Sequence, residues 1–195
     1  MFILMMIGFL ISLPILFIFG IGSGAVNVPP AGAGEIPSVQ DLAIFVEASN
    51  MFKNVPPWYI LASTNYVEST YGQNPLVKRG LPNSAGAFGP MQFLAPTFEE
   101  YEVKTIGTDI NSEKDAVFAT ANMYSQNIAK NGGWPVGLPD AIFDYNHSHK
   151  YVQQIENVAG YIVKNTPKKL IKRAEKEAHV FNEQHSTSTS ARSKK

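Results

Sequence analysis

Residues 1 to 22 contain one polar side chain, Ser12, and one helix breaker, Pro14. As a helix rising about 1.5 Å per residue, such a run just reaches across a hydrocarbon core of about 30 Å. It withdraws from any water-facing fold, so the rest of the chain has to fold without it. No Lys or Arg precedes Lys53. The run therefore lacks both the charged start of a secretory signal and a clear positive-inside bias. Two outcomes stay open: an uncleaved N-terminal anchor, or a signal segment cut near Ser23-Gly24-Ala25 or Ala31-Gly32-Ala33. In either, the remaining chain crosses the membrane and is expected on the extracytoplasmic, cell-wall side, anchored or secreted. Residues 1–24 are read as transmembrane anchor or signal segment, and residues 25–37, rich in Gly, Ala and Pro, as a linker. Gly20, Gly22 and Gly24 follow no strand and open no helix, so they do not make a nucleotide loop.

What remains of the 195 residues is enough for one domain and short for two. The absence of cysteine excludes a disulfide framework, thiol catalysis and cysteine metal sites. The net charge of zero is unevenly spread: from Asn165 onward eight basic residues face three acidic ones, and the first 164 residues carry eight basic against 13 acidic. This is not the footprint of a globally basic nucleic-acid binder. Residues 167–195 are read as a basic, largely disordered tail, with residues 186 to 195 almost wholly Ser, Thr, Lys and Arg.

Between linker and tail, residues 38–166 are mainly α. Ser38 with Asp41 caps a helix carrying Leu42, Phe45 and Val46 on one face. Pro57 suits the first turn of a second helix, which runs through Ile60, Leu61, Thr64, Val67 and Glu68 and stops near Gly72. A loop rich in Gly, Pro and Asn follows, with room for a short hairpin before Gly89. Thr97 with Glu100 predicts a capping box for a short helix. Ser112 with Asp115 starts a longer one, ended by Asn131-Gly132-Gly133, and Pro139 opens another. In the last helix, Val152, Ile155, Val158, Ala159 and Ile162 recur at helical spacing.

Glu68 lies four residues after Thr64 and seven after Leu61, on or beside the apolar stripe of its helix. Burial there raises a carboxyl pKa, and an acid still protonated near neutral pH can protonate a glycosidic oxygen. Val55-Pro56-Pro57-Trp58-Tyr59-Ile60-Leu61-Ala62, leading to Val67-Glu68-Ser69, resembles the catalytic helix of lytic transglycosylases of the soluble-lytic, goose-lysozyme-like group. Ser84-Ala85-Gly86-Ala87-Phe88-Gly89-Pro90-Met91-Gln92-Phe93 resembles their Gly-Leu-Met-Gln motif, and Ala141-Ile142-Phe143-Asp144-Tyr145-Asn146 their Ala-Tyr-Asn motif. The three stand in the family's order and spacing. Pro90 and Asp144 depart from the pattern, standing where the family usually has an apolar residue and Ala.

The resemblance implies a lysozyme-like helical domain that acts on peptidoglycan glycan strands, with Glu68 as the catalytic acid and base. Ser69, Gly89, Met91, Gln92, Tyr145 and Asn146 are the implied substrate-binding residues. In their physical reading, Gly86 and Gly89 let backbone approach a sugar closely. Gln92 offers donor and acceptor, and Met91 lines the cleft by its backbone. Tyr145 stacks on a sugar or bonds to the Glu68 carboxyl, Asn146 bonds to an acetamido group, and Ser69 orients Glu68 or substrate.

Ordinary glycosidases need two carboxylates, about 5–5.5 Å or about 6.5–9.5 Å apart, and the matched motifs supply one. A lytic transglycosylase manages with one, because the muramic 6-hydroxyl replaces water and a 1,6-anhydro end results. The alternatives are a muramidase that uses water, with Asp144 or another acidic residue as second carboxylate, and an inactive wall-binding or secretion-assembly protein; the enzyme itself is expected to serve a secretion, conjugation or phage assembly. No cofactor is expected. His147 and His149, two apart, lack the pattern of a metal site, so no metal is expected either.

Overall fold

The computed structural model describes residues 36–178. The expected membrane segment, most of the linker and residues 179–195 lie outside this range. Among the described residues there are eight helices and no strand, consistent with a mainly α fold. The named helices are α1 (Val39–Ser49), α2 (Trp58–Ser69), α3 (Pro75–Lys78), α4 (Ala95–Tyr101), α5 (Glu113–Lys130), α6 (Leu138–Asn146) and α7 (His149–Asn165). An eighth, α8, is helical from 168 to the last described residue, 178. No helix among the described residues is long and apolar enough to cross a membrane.

The helix starts follow the side-chain chemistry in the sequence. Ser38 and Asp41 close a reciprocal capping box on α1, and Ser112 caps α5 by accepting from the Asp115 amide. Ser148 caps α7 through the Tyr151 amide. The capping box expected from Thr97 and Glu100 does not form. Pro96 fits the first turn, where its missing N–H is no loss, so α4 begins at Ala95 with Leu94 as its cap residue and no side-chain cap bond.

Helix α2 is the axis of the domain. It is buried on nearly every side, through Ile60, Leu61, Ala62, Ser63, Thr64, Asn65, Tyr66 and Ser69, and it packs against α1, α5 and most extensively α7. A helix surrounded in this way has no solvated face for its polar residues, so they bond inward. Thr64 Oγ1 donates to the Ile60 carbonyl at 3.0 Å and lies 2.9 Å from Tyr124 Oη. With its one proton so engaged, Thr64 accepts from Tyr124. Helix α5 adds Val117, Phe118, Ala121, Tyr124 and Ile128 to the core, and α7 adds Tyr151, Val152, Ile155, Val158 and Ile162. Glu47 of α1, 7% exposed, is held by Lys114 of α5 at 3.2 Å.

Helix α8 corrects the expected end of the domain at residue 166. Ala174 and Ala178 are buried with Leu42 and Val46 of α1 in a second apolar cluster, and Leu170 and Ile171 pack against it. The first part of the segment read as a disordered tail is thus a folded helix. Its buried alanines are masked in the sequence by the density of Lys and Arg around them.

Candidate active site

Glu68 occupies the last turn of α2 and is half-buried. Its Oε1 accepts a 2.6 Å hydrogen bond from the Tyr151 hydroxyl. Its other oxygen has no hydrogen-bond partner among the described residues. Burial pushes the Glu68 carboxyl up from 4.5 to about 7, and the Tyr151 bond opposes that only in part. Burial also holds the Tyr151 hydroxyl well above its usual value, so it remains a donor. With Oε1 engaged by the Tyr151 hydroxyl, Oε2 is the oxygen available to carry and give the acid proton, since among the described residues it has no hydrogen-bond partner.

Three tyrosines line this corner. The rings of Tyr145 and Tyr151 are parallel, 2° apart in tilt and 6.2 Å between centroids. The Tyr124 ring lies 5.5 Å from Tyr145, and the Phe93 ring 5.7 Å. The tyrosine expected to reach Glu68 was Tyr145. Its hydroxyl instead donates to the Met91 carbonyl at 2.7 Å, fastening the loop before α4 to α6. Tyr151, which sequence reasoning missed, takes the carboxyl. The signal was present, since 151, 155, 158 and 162 share one face of α7.

The segment after Glu68 is held in an unusual shape. Thr70, Tyr71 and Gly72 have φ of 54°, 55° and 71°, three successive left-handed residues of which only the last is glycine. For a β-branched threonine this conformation is costly and persists only when its surroundings enforce it. Ser69 provides the enforcement. Its hydroxyl donates to the Pro90 carbonyl at 2.7 Å and accepts from the Gly72 amide at 2.8 Å. At 3% exposed, Ser69 is a clamp between α2 and the loop, next in sequence to Glu68, whose orientation was one of its two expected roles.

The loop carrying Gly89, Met91 and Gln92 is tied to itself. Phe88 and Phe93 form an antiparallel bridge. Gln92, at φ 50°, donates from Nε2 to the Gly89 carbonyl and accepts at Oε1 from Asn83, at 2.8 and 2.9 Å. One N–H and one lone pair of its amide are left for anything else. Gly89 has φ 71°, and a Cβ there would lie 1.9 Å from the Ile110 carbonyl oxygen. Its small size admits the close approach of the Ile110 backbone. Met91 has a fully buried side chain, and its carbonyl is the one Tyr145 holds. Asn146 is exposed at the end of α6.

Asp144 stands apart from Glu68 in its contacts. Its carboxylate accepts a 3.4 Å bond from Asn131, and its charge helps to push the Tyr101 hydroxyl pKa up; neither group bonds to Glu68. A second carboxyl with raised pKa is Glu113 at the start of α5. Burial, reinforced by the neighbouring Asp41 carboxylate, pushes it to about 8, against a bond from Asn65. An open groove of about 770 Å3, lined by Ala95, Phe98, Glu99, Glu102, Lys104, Thr108 and Ile110, does not include Glu68. Among the described residues no group of three or more His, Asp or Glu is placed to hold a metal ion. Comparison of the chain with models of protein families, with curated proteins and with solved structures found no match.

Proposed function

We propose that the chain is a peptidoglycan lytic transglycosylase that cleaves the β-1,4 bond between N-acetylmuramic acid and N-acetylglucosamine, with Glu68 as its single acid and base. The observation that carries this reading is the state of Glu68. Burial pushes its carboxyl up to about 7, Oε1 accepts from Tyr151, and Oε2 has no hydrogen-bond partner among the described residues. A carboxylic acid of that pKa is protonated in a large fraction of molecules at neutral pH and is poised to give its proton to a leaving oxygen. The three motifs resembling the soluble-lytic group point to the substrate, and a lysozyme-like arrangement of the helices belongs to the same proposal.

In this mechanism Glu68 Oε2 donates its proton to the glycosidic oxygen as the C–O bond breaks and positive charge grows at the muramic anomeric carbon. The carboxylate left behind is stabilised by the Tyr151 hydroxyl. It then takes the proton of the 6-hydroxyl, whose oxygen bonds to the anomeric carbon and closes the 1,6-anhydro ring. Glu68 ends protonated, and no water is consumed. One carboxyl suffices for both steps. The bonding of Asp144 to Asn131, a partner it does not share with Glu68, favours this course over a hydrolysis with Asp144 as second carboxylate.

The apolar run of residues 1–22 supports placing the domain at the membrane on its wall-facing side, held there as an anchor or released if the run is cleaved. Mass spectrometry of purified sacculi digested with the wild-type protein and with Glu68→Gln tests the function. Anhydro ends that vanish in the variant are expected. Reducing ends would make the protein a muramidase, and no release at all would make it a wall-binding protein.

A further inference from the structure

Helix α8 carries two faces of opposite character. At about 100° per residue, Leu170, Ile171, Ala174 and Ala178 cluster on one side, the side packed against Leu42 and Val46 of α1. Lys168, Lys169, Lys172, Arg173 and Lys176 fall within an arc of about 140° centred on the opposite side. All five are exposed. Glu175 and Glu177 sit at the two margins of that arc, and Glu177 bonds to Arg173 at 3.2 Å. Lys168, Lys172 and Lys176 form a row with steps of about 6 Å along the helix. Because the apolar face is already covered by α1, this helix has charge alone to offer a partner.

We propose that this face of α8 binds the phosphate headgroups of an anionic bilayer. The partner follows from where the helix is fixed. It packs on α1, and α1 begins at Val39, 17 residues after the end of the apolar run at residue 22. Fully extended, 17 residues reach at most about 60 Å. With residues 1–22 in a bilayer, the basic face meets the headgroups at high effective concentration. A dissolved polyanion gains nothing from that tether. Contact through α8 sets the domain's orientation on the membrane, and it stands whether or not Glu68 cleaves glycan.

The test uses the full chain in nanodiscs of phosphatidylcholine alone or enriched in phosphatidylglycerol. Amine labelling of Lys168, Lys169, Lys172 and Lys176 is followed by peptide mass spectrometry, with Lys104, 80% exposed beside α4, as internal reference. Labelling of the four is expected to fall several-fold in the anionic discs, and to recover in 1 M salt, where charge is screened within about 3 Å. In the variant with all five basic residues changed to Gln, hydrogen exchange of the α8 amides is expected to be the same in both discs. The wild-type amides are expected to slow in the anionic ones. Equal labelling in the two discs would overturn the proposal. So would failure of the chain to associate with either disc, or protection by soluble polyglycerol phosphate with none from the anionic discs.

Discussion

The hydroxyl of Tyr151, on the first turn of α7, donates to Glu68 Oε1 on the last turn of α2 across 83 residues of sequence, at 2.6 Å. The bond favours the ionised carboxyl and so opposes the upward push of burial. Tyr151→Phe is expected to raise the Glu68 pKa further. The alkaline limb of the kcat/KM profile then moves to higher pH, while the maximal rate falls because the carboxyl loses its fixed orientation. A pH–rate series on wild type and variant checks this. An alkaline limb that moves down, or stays in place, would show that Tyr151 does not set the ionisation of Glu68.

Glu68→Gln separates chemistry from stability. The amide keeps an acceptor for Tyr151 but has no acid proton, so wall lysis is expected to fall by about 10²-fold or more. Stability moves the other way. The unfolded carboxyl titrates near 4.5 and the folded one near 7. As pH rises through that window the unfolded state releases its proton first, and the folded wild type loses stability, by at most about 3 kcal/mol. Thermal melts are expected to show Glu68→Gln level with wild type near about pH 4 and progressively more stable towards about pH 8. Glu113, raised to about 8, contributes a further loss of the same sign that persists in the variant. A difference between the two proteins that does not change with pH would place the Glu68 carboxyl in water.

Several caps and stripes of the fold were legible because they are local, although the box expected at Thr97 and Glu100 does not form. Ser38 with Asp41, Ser112 with Asp115, and the inward face of α7 need only a few residues of context. Helix α8 was not, since Ala174 and Ala178 reveal themselves as buried only when Leu42 and Val46 are known to lie opposite. At the site, periodicity placed Glu68 on an inner edge of its helix. What a motif does not disclose is which partner each polar group takes. Ser69, Gln92 and Tyr145 bond largely to the protein's own backbone, and the aromatic donor to the carboxyl comes from a helix outside the three motifs.

Gly89 and Gly86 provide a paired test of the loop. Both have positive φ, 71° and 82°, but a Cβ at Gly89 meets the Ile110 carbonyl oxygen at 1.9 Å while one at Gly86 meets nothing within 4 Å. Gly86→Ala carries only the left-handed penalty of about 1–2 kcal/mol. Gly89→Ala adds a clash between two backbones, for a total above about 3 kcal/mol. At about 3 °C per kcal/mol for a domain of this size, melts are expected to separate the two variants clearly. Equal losses would mean that the Gly89 loop and the Ile110 segment do not meet in solution.

Ending the chain at residue 167 removes α8 and opens Leu42 and Val46, 0% and 6% exposed, to water. Re-exposing two such side chains is worth about 3–5 kcal/mol, less whatever α1 recovers by local rearrangement. The truncated chain is expected to melt well below the full one. Ala174→Asp, which places an unpaired carboxylate in the same contact, is expected to do likewise. If both melt as wild type does, α8 does not pack on α1.

Asp144→Asn decides between the two courses of cleavage. The residue lies next to Tyr145 in sequence, yet its bond is to Asn131. An asparagine keeps the size of the group, and its amide oxygen can still accept from Asn131. In a one-carboxyl reaction the change is expected to lower the rate by less than about tenfold, equivalent to about 1.4 kcal/mol of barrier, with anhydro ends throughout. A positioned general base that activates water is worth about 10²–10⁴-fold. A loss of that size with reducing ends would make Asp144 the second carboxylate of a hydrolase. The pH profile gives an independent reading of the same choice. One carboxyl serving in turn as acid and base leaves a single ionisation in the free enzyme, so kcat/KM is expected to be level on the acid side and to fall above about pH 7, as Glu68 loses its proton. A bell-shaped profile whose acid limb disappears in Asp144→Asn would overturn the one-carboxyl course.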